Sequence, residues 1–281
     1  MPLNAKDRVF VVTGANSGIG KATALGLARP GGTVVMACRN ADRSEAARQD
    51  IVRQSGNAHV AVMIVDLASE ASTRAFAKEF QRRYPRLDAL VNNAGVYMSR
   101  REVTADGLER TFEVNYLSGF LLTQLLLELL KKSAPSRIVN VSSSAHRGGR
   151  IRFDDLQGER RYGGFRAYGQ SKLAQVLFTQ ELARRLEGTG VTVNACQPGV
   201  IRTNLAMGGS SVVVRFGKLF LRGPAKGAET PIYLATSPEV EGISGKYFVR
   251  NQVLAPSARA QDPAVARRLF EVSMELAHLS A

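Results

Sequence analysis

Apolar residues in this chain gather into short runs, each stopping at a small or polar cluster. Val9-Phe10-Val11-Val12-Thr13, Thr33-Val34-Val35-Met36-Ala37-Cys38 and residues 59–65 are the first three, and residues 87–91, 137–141 and 191–196 repeat the pattern. Unbroken apolar runs of this length, rich in β-branched residues, predict strands buried on both faces of a parallel sheet. Between and after them, 21–28 reads as a helix, 120–127 begins within a long helix, and 227–235 reads as another. Residues 242–248 read as a turn into a last strand, and Asp262-Pro263 as the cap and first turn of a final helix. This alternation predicts an α/β fold in one domain, a doubly wound parallel sheet flanked by helices.

The polar clusters at the strand ends carry the candidate chemistry. The first strand runs at once into Gly14-Ala15-Asn16-Ser17-Gly18-Ile19-Gly20. Glycines there let the backbone turn tightly and approach a pyrophosphate, whose charge the N–H groups opening the next helix would receive. The second strand ends at Arg39, where a fold selecting NAD usually places an acid for the ribose hydroxyls. A guanidinium there matches the 2′-phosphate of NADP instead, although Asp42 close by keeps NAD open. Tyr168 and Lys172 lie four residues apart, which on a helix stacks both side chains on one face. A cation held beside a phenol is expected to lower its pKa, making Tyr168 a usable proton donor and acceptor.

These residues resemble the short-chain dehydrogenase/reductase (SDR) family. The matching motifs are Thr-Gly-Ala-Asn-Ser-Gly-Ile-Gly at 13–20, Asp66-Leu67, Asn-Asn-Ala-Gly at 92–95, Asn115, the serines at 142–144, Tyr-Gly-Gln-Ser-Lys at 168–172 and Pro198-Gly199. Ala-Cys-Arg-Asn at 37–40, Asp-Leu-Gln-Gly-Glu at 155–159 and Phe-Thr-Gln-Glu-Leu-Ala-Arg-Arg-Leu at 178–186 are similar to its retinol dehydrogenase-like branch. Gln197 departs from the His that members of this branch often place before Pro-Gly, and Pro30-Gly31-Gly32 replaces a more usual basic-Gly-Ala turn.

The resemblance implies a Rossmann-type fold and a catalytic set of Asn115, Ser143, Tyr168 and Lys172. Tyr168 would exchange the proton and Ser143 would hold the substrate oxygen. Lys172 would lower the phenol pKa and grip the nicotinamide ribose, and Asn115 would help hold a water linking Lys172 to solvent. Around the cofactor it implies Asp66 and Leu67 near adenine, Asn92, Ala94 and Gly95 beside the ribose, and Pro198, Gly199, Ile201 and Thr203 over the nicotinamide. Within 1–281 it implies a dinucleotide-binding and catalytic core at 7–205, a substrate lid at 206–226, and a completion of the fold at 227–281. The expected activity is NADP-dependent interconversion of an alcohol and an aldehyde or ketone on a lipophilic, retinol-like substrate. A broad-specificity carbonyl reductase and a non-catalytic NADP-sensing module are the alternatives, and the intact set of four argues against the second.

Composition changes this picture little. With 281 residues, 44% of them apolar, the chain can bury a full core. Its two cysteines, Cys38 and Cys196, both fall in apolar strands and read as reduced core residues. His59, His146 and His278 show no ligand spacing, so no metal is expected. No apolar stretch has the length of a signal peptide or a membrane span, so the expectation is a soluble, cytoplasmic chain. Relatives in the branch carry an N-terminal anchor, so a truncated membrane enzyme is the other reading.

The formal charge of +14 raises nucleic acid or an anionic membrane as partners. Yet the cations come as scattered pairs, such as 82–83, 131–132 and 184–185, without aromatic interleaving for bases to stack on. That favours solvated helix ends, with no specific nucleic-acid partner. Residues 211–222 mix bulky apolar side chains with Arg215, Lys218 and Arg222. Such a lid suits a lipophilic alcohol or carbonyl, with peripheral membrane contact or packing on the protein or a second copy as equal readings. In relatives the helix around 120–127 commonly helps form a homodimer, and here its apolar face suits the core equally well.

Overall fold

A computed structural model of the chain describes residues 5–198, 207–208 and 223–279. The early strands are β1 (Val9–Thr13), β2 (Thr33–Cys38), β3 (Val60–Ile64), β4 (Ala89–Asn92) and a short β5 (Tyr97–Met98). Then follow β6 (Ser136–Val141), β7 (Val191–Gln197), β8 (Met207–Gly208), β9 (Tyr247–Val249) and β10 (Gln252–Val253). The helices are α1 (Gly18–Ala28), α2 (Ala41–Ser55), α3 (Glu70–Arg83), α4 (Arg110–Phe112), α5 (Ser118–Lys132), α6 (Gly164–Arg185), α7 (Pro224–Thr236) and α8 (Pro263–Leu276).

Eight strands form one sheet in the order β10-β9-β7-β6-β4-β1-β2-β3, parallel except for the β10–β9 pair. Strand alternation explains why the runs read as continuously apolar. Phe10, Val12, Val34, Met36, Ala89, Val91, Val139 and Val141 face the core under α1, α2 and α7. Val11, Val35, Leu90 and Ile138 face the opposite core with Phe120, Leu177 and Leu269 from α5, α6 and α8. Period-two side chains on a strand covered on both faces must be apolar at every position.

Strand order reverses at β1, with Val11 in register with Val35 of β2 on one side and Leu90 of β4 on the other. Crossover connections therefore leave in opposite directions there and open a crevice beyond the carboxyl ends of β1 and β4, where such sheets bind ligands. One sequence expectation shifts in detail. Helix α7 begins at Pro224, inside the stretch expected to be lid, because proline at the first helical position favours starting there. Between α4 and α5 the chain winds as a π-helical turn, Glu113–Leu117, which no apolar periodicity foretells. Arg268 lies within α8, its guanidinium 4.1 Å from the Phe153 ring centroid. Most of the expected lid, 206 and 209–222, lies outside the described residues.

Cations that close helices are paired locally: Arg82 and Arg83 with Glu79, Lys131 with Glu128, Arg184 and Arg185 with Glu181. No helix of the described residues is long and apolar enough to cross a membrane. Among those residues, no group of three or more His, Cys, Asp or Glu could hold a metal ion.

Candidate active site

The crevice is a cavity of about 630 Å³ lined from several strand ends. Gly14 leaves β1 at φ +65° and Gly18 opens α1 at φ +54°, backbone conformations that side chains resist. A Cβ added to Gly20 would collide with the Gly14 carbonyl and the Asn93 amide, so only glycine permits this tight turn. Ser17 caps α1 without a side-chain capping bond, and the first turn of α1 carries no acidic residue. The cradle thus offers backbone donors and the positive end of a helix, a combination suited to a diphosphate.

At the end of β2 the lining continues through Arg39, Asn40 and Arg43. The Asn40 side chain caps α2 by accepting from the Arg43 backbone N–H at 2.9 Å, which brings Arg43 to the cavity beside Arg39. Sequence reasoning missed Arg43; its signal was Asn40 as helix cap, which puts residue 43 in the first turn beside the strand end. The described lining holds two guanidinium groups there, and its acidic member is Asp66 on the next strand end. Asp66 is fixed by its Oδ1 accepting from Ala68 N at 3.0 Å. Leu67 lies beside it in the lining.

Asn92 departs from expectation. It sits on the far side of the strand end, 5% exposed, its amide donating to Thr123 Oγ1 at 3.1 Å and Asn140 Oδ1 at 3.0 Å. Its neighbours Asn93, Ala94 and Gly95 line the cavity instead. Thr13 Oγ1 accepts from the Asn93 and Ala94 backbone N–H groups at 2.9 and 3.0 Å, and Asn93 Nδ2 donates to Thr13 O at 2.8 Å, locking the β4 exit onto the β1 exit. Asn92 is the last residue of β4 and shares the face of Leu90, whereas the three residues after it have left the strand and turn over the crevice.

The opposite end of the cavity is built from side chains. Ser143, Tyr168, Lys172 and Pro198 line it together, while Gly199, Ile201 and Thr203 lie outside the described residues. Ser143 Oγ accepts from Ala145 N at 3.2 Å and lines the cavity with the Tyr168 phenol, whose ionisation it favours. Ser142 serves the scaffold, donating to the Lys172 carbonyl at 2.8 Å. His146 Nδ1 bonds the Ser143 carbonyl at 2.7 Å and its Nε2 accepts from Ser257 N at 3.2 Å, so the ring is neutral and carries its proton on Nδ1. Burial holds its pKa below the usual histidine range.

Lys172 is 3% exposed, its Nζ 5.6 Å from the Tyr168 ring centroid. It donates to the Val141 carbonyl and to Gln175 Oε1, each at 3.0 Å. Burial among neutral partners pulls its pKa down to about 8. The expected lowering of the phenol is not what this state of the chain displays. Burial pushes the Tyr168 phenol above its ordinary value, with the Ser143 hydroxyl opposing it. Tyr168 at neutral pH is therefore a protonated phenol, ready to give a proton rather than to take one.

Asn115, in the π-helical turn, does not line the cavity. Its Oδ1 accepts from Val96 N at 2.7 Å, and its Nδ2 donates to Val96 O and Ser171 Oγ at 3.0 Å each. Its side chain thereby ties the Gly95-Val96 loop to the helix that carries Tyr168. Cys38 and Cys196 are buried free thiols, and Cys38 also reaches the cavity lining.

A model of the family described as short chain dehydrogenase matches residues 8–211. Human retinol dehydrogenase 13 is 48% identical over 98% of this chain and 86% of its own length. Mouse retinol dehydrogenase 12 is 46% identical over 96% and 86% respectively. Among solved structures, an uncharacterized protein from Mycobacterium paratuberculosis superposes with a TM-score of 0.83 at 35% identity, covering 99% of this chain and 96% of that one. A short chain dehydrogenase from Shigella flexneri 2a, complexed with NADP, gives a TM-score of 0.70 at 26% identity, covering 90% of this chain and 100% of that one.

Proposed function

Because the chain belongs to the short-chain dehydrogenase family, as a retinol dehydrogenase-like member, we propose that this oxidoreductase uses NADP(H) to interconvert a lipophilic alcohol and its carbonyl. The observation that carries this reading is one cavity joining a glycine cradle, two arginines at the end of β2, and the Ser143, Tyr168 and Lys172 trio. The two arginines favour NADP over NAD, since a 2′-phosphate gains two charge-assisted partners where ribose hydroxyls would gain none. The NADP carried by the Shigella flexneri neighbour supports the same choice. The names of the retinol dehydrogenase relatives support a retinoid-like substrate.

The residues present fit such a cofactor. Gly14 to Gly20 and the opening of α1 would hold its diphosphate, Arg39 and Arg43 its 2′-phosphate, and Gly95 and Lys172 the nicotinamide-side ribose. When bound, the nicotinamide supplies hydride for reduction or takes it up in oxidation. Ser143 orients the substrate oxygen by a hydrogen bond. In reduction Tyr168 would give its phenolic proton to that oxygen, completing the alcohol. The Lys172 ammonium stabilises the phenolate left behind. In oxidation the same proton returns to Tyr168.

The test is absorbance at the reduced-nicotinamide band with NADPH or NADH and a panel holding retinal and simple aromatic aldehydes. NADPH oxidation favouring retinal supports the full reading, and comparable rates on all aldehydes point to a broad carbonyl reductase. Silence on every carbonyl despite tight NADPH binding points to a cofactor-sensing module.

A further inference from the structure

Gln175 lies three residues beyond Lys172 on α6 and is 3% exposed. Its amide bridges two elements of the site, with Oε1 accepting from Lys172 Nζ at 3.0 Å and Nε2 donating to the Asn115 carbonyl at 2.7 Å. The orientation is forced. Ammonium only donates and a carbonyl only accepts, so the amide cannot flip without breaking both bonds.

The bridge is held from behind by a buried polar chain. Thr179 Oγ1 donates to the Gln175 carbonyl at 2.8 Å, Asn140 Nδ2 donates to Thr179 Oγ1 at 2.9 Å, and Asn92 Nδ2 donates to Asn140 Oδ1 at 3.0 Å. Asn92, turned away from the cavity, thus helps fix the helix turn that carries Gln175. These buried hydrogen bonds stiffen the helix turn from behind, and Asn92 Oδ1 at the far end of the chain has no partner.

We infer that Gln175 is a positioning residue for Lys172, its side-chain amide joining Lys172 directly to Asn115, the residue that the family resemblance expects to hold a water between Lys172 and solvent, and that its neutrality sets the proton affinity of the ammonium. The inference rests on the proposed proton chemistry of Tyr168 and Lys172. Two of the three Lys172 N–H donors are committed, to Val141 O and to Gln175, leaving one for the cavity. Both acceptors are uncharged. Among the described residues, the titratable groups facing the ammonium are the Tyr168 phenol on its own helix and the Cys196 thiol on β7, which burial pushes up to about 12 and keeps neutral. A carboxylate at 175 would pair the charge and hold the proton far more tightly. A hydrocarbon would leave the ammonium with one protein acceptor and release its proton more easily.

Gln175→Leu, Gln175→Glu and Gln175→Asn in the full chain test this by two readouts. The first is the titration of the Lys172 ε-carbon resonance in lysine-labelled protein, assigned by its loss in Lys172→Arg. Relative to wild type, its midpoint moves down by about one pH unit in Gln175→Leu and up by about one in Gln175→Glu. Gln175→Asn, one methylene shorter, lies between wild type and Gln175→Leu. The second readout is NADPH-dependent aldehyde reduction, where Gln175→Leu lowers kcat about tenfold with KM within about twofold, and the basic limb of the pH profile follows the resonance. Midpoints unchanged in both Gln175→Leu and Gln175→Glu overturn the inference. So does a kcat loss in Gln175→Leu without movement of the basic limb, which marks a purely structural role. If wild type reduces no carbonyl, the substrate reading has failed, and the resonance titration still decides the role of Gln175.

Discussion

The two ends of the cavity are built from different materials. At the cradle, Gly14, Gly18 and Gly20 contribute main chain and the absence of side chains, and the charge there comes from the opening of α1. At the other end, Ser143, Tyr168 and Lys172 contribute side-chain atoms held by Asn115, Gln175 and Ser142 from separate segments. Backbone donors fixed by a strand and a helix bind without needing to change. Side chains with shifted proton affinities are poised to react. The contrast therefore separates affinity from turnover, and each end should fail in its own way.

The sharpest break comes at Lys172. Lys172→Met removes the donor beside the phenolate, and kcat should fall by about 10²-fold or more while the NADPH dissociation constant shifts by a much smaller factor. Stopped-flow reduction alongside fluorescence titration of NADPH separates the two. A comparable loss in both would merge the two ends into one.

At the cradle the split reverses. Gly20→Ala drives a Cβ into the Gly14 carbonyl and the Asn93 amide, and NADPH affinity should fall by about ten- to a hundredfold, with kcat at saturating cofactor close to wild type. A smaller effect of the same kind is expected for Arg39→Ala combined with Arg43→Ala. NADPH affinity should drop about tenfold or more while NADH affinity barely moves, as calorimetry with each cofactor would reveal. Unchanged NADPH affinity would remove the arginines from 2′-phosphate recognition.

The smallest effect is on stability. Lys172 titrates near 8 when folded against 10.5 for the ordinary side chain, so between those pH values the unfolded chain binds more protons and stability rises with pH. Below about 8 the lysine is charged in both states and the burial penalty is present in full. Denaturant unfolding of wild type and Lys172→Met should accordingly show the difference moving in favour of wild type from pH 8 to 10.5. A flat difference across that window would mean that the lysine keeps its ordinary affinity for the proton.

The backbone-built end was largely legible in the sequence, because glycine spacing directly after an apolar run is itself the structural requirement. Arg39 was legible for the same reason, as the residue following a strand. Arg43 was not, since its place depends on Asn40 capping α2. Asn92 was misassigned by one residue: the motif located the strand end, and only the paired strands reveal which neighbour faces the cavity. At the side-chain end the identities of Ser143, Tyr168 and Lys172 could be read, but the wiring could not. Gln175 meets Asn115 across 60 residues of chain, through a π-helical turn that leaves no mark in the hydrophobic pattern. The direction of the Tyr168 shift also escaped, because proximity to a cation is visible in a four-residue spacing and burial is not.

The central claim, that one phenol moves the proton at the side-chain end while the glycine cradle binds, is tested most directly by Tyr168→Phe, measured for NADPH affinity and for single-turnover aldehyde reduction on the same preparation. The account predicts wild-type affinity with reduction lowered by roughly 10²- to 10⁴-fold. Reduction at the wild-type rate would contradict it and send the search for the proton donor elsewhere in the cavity.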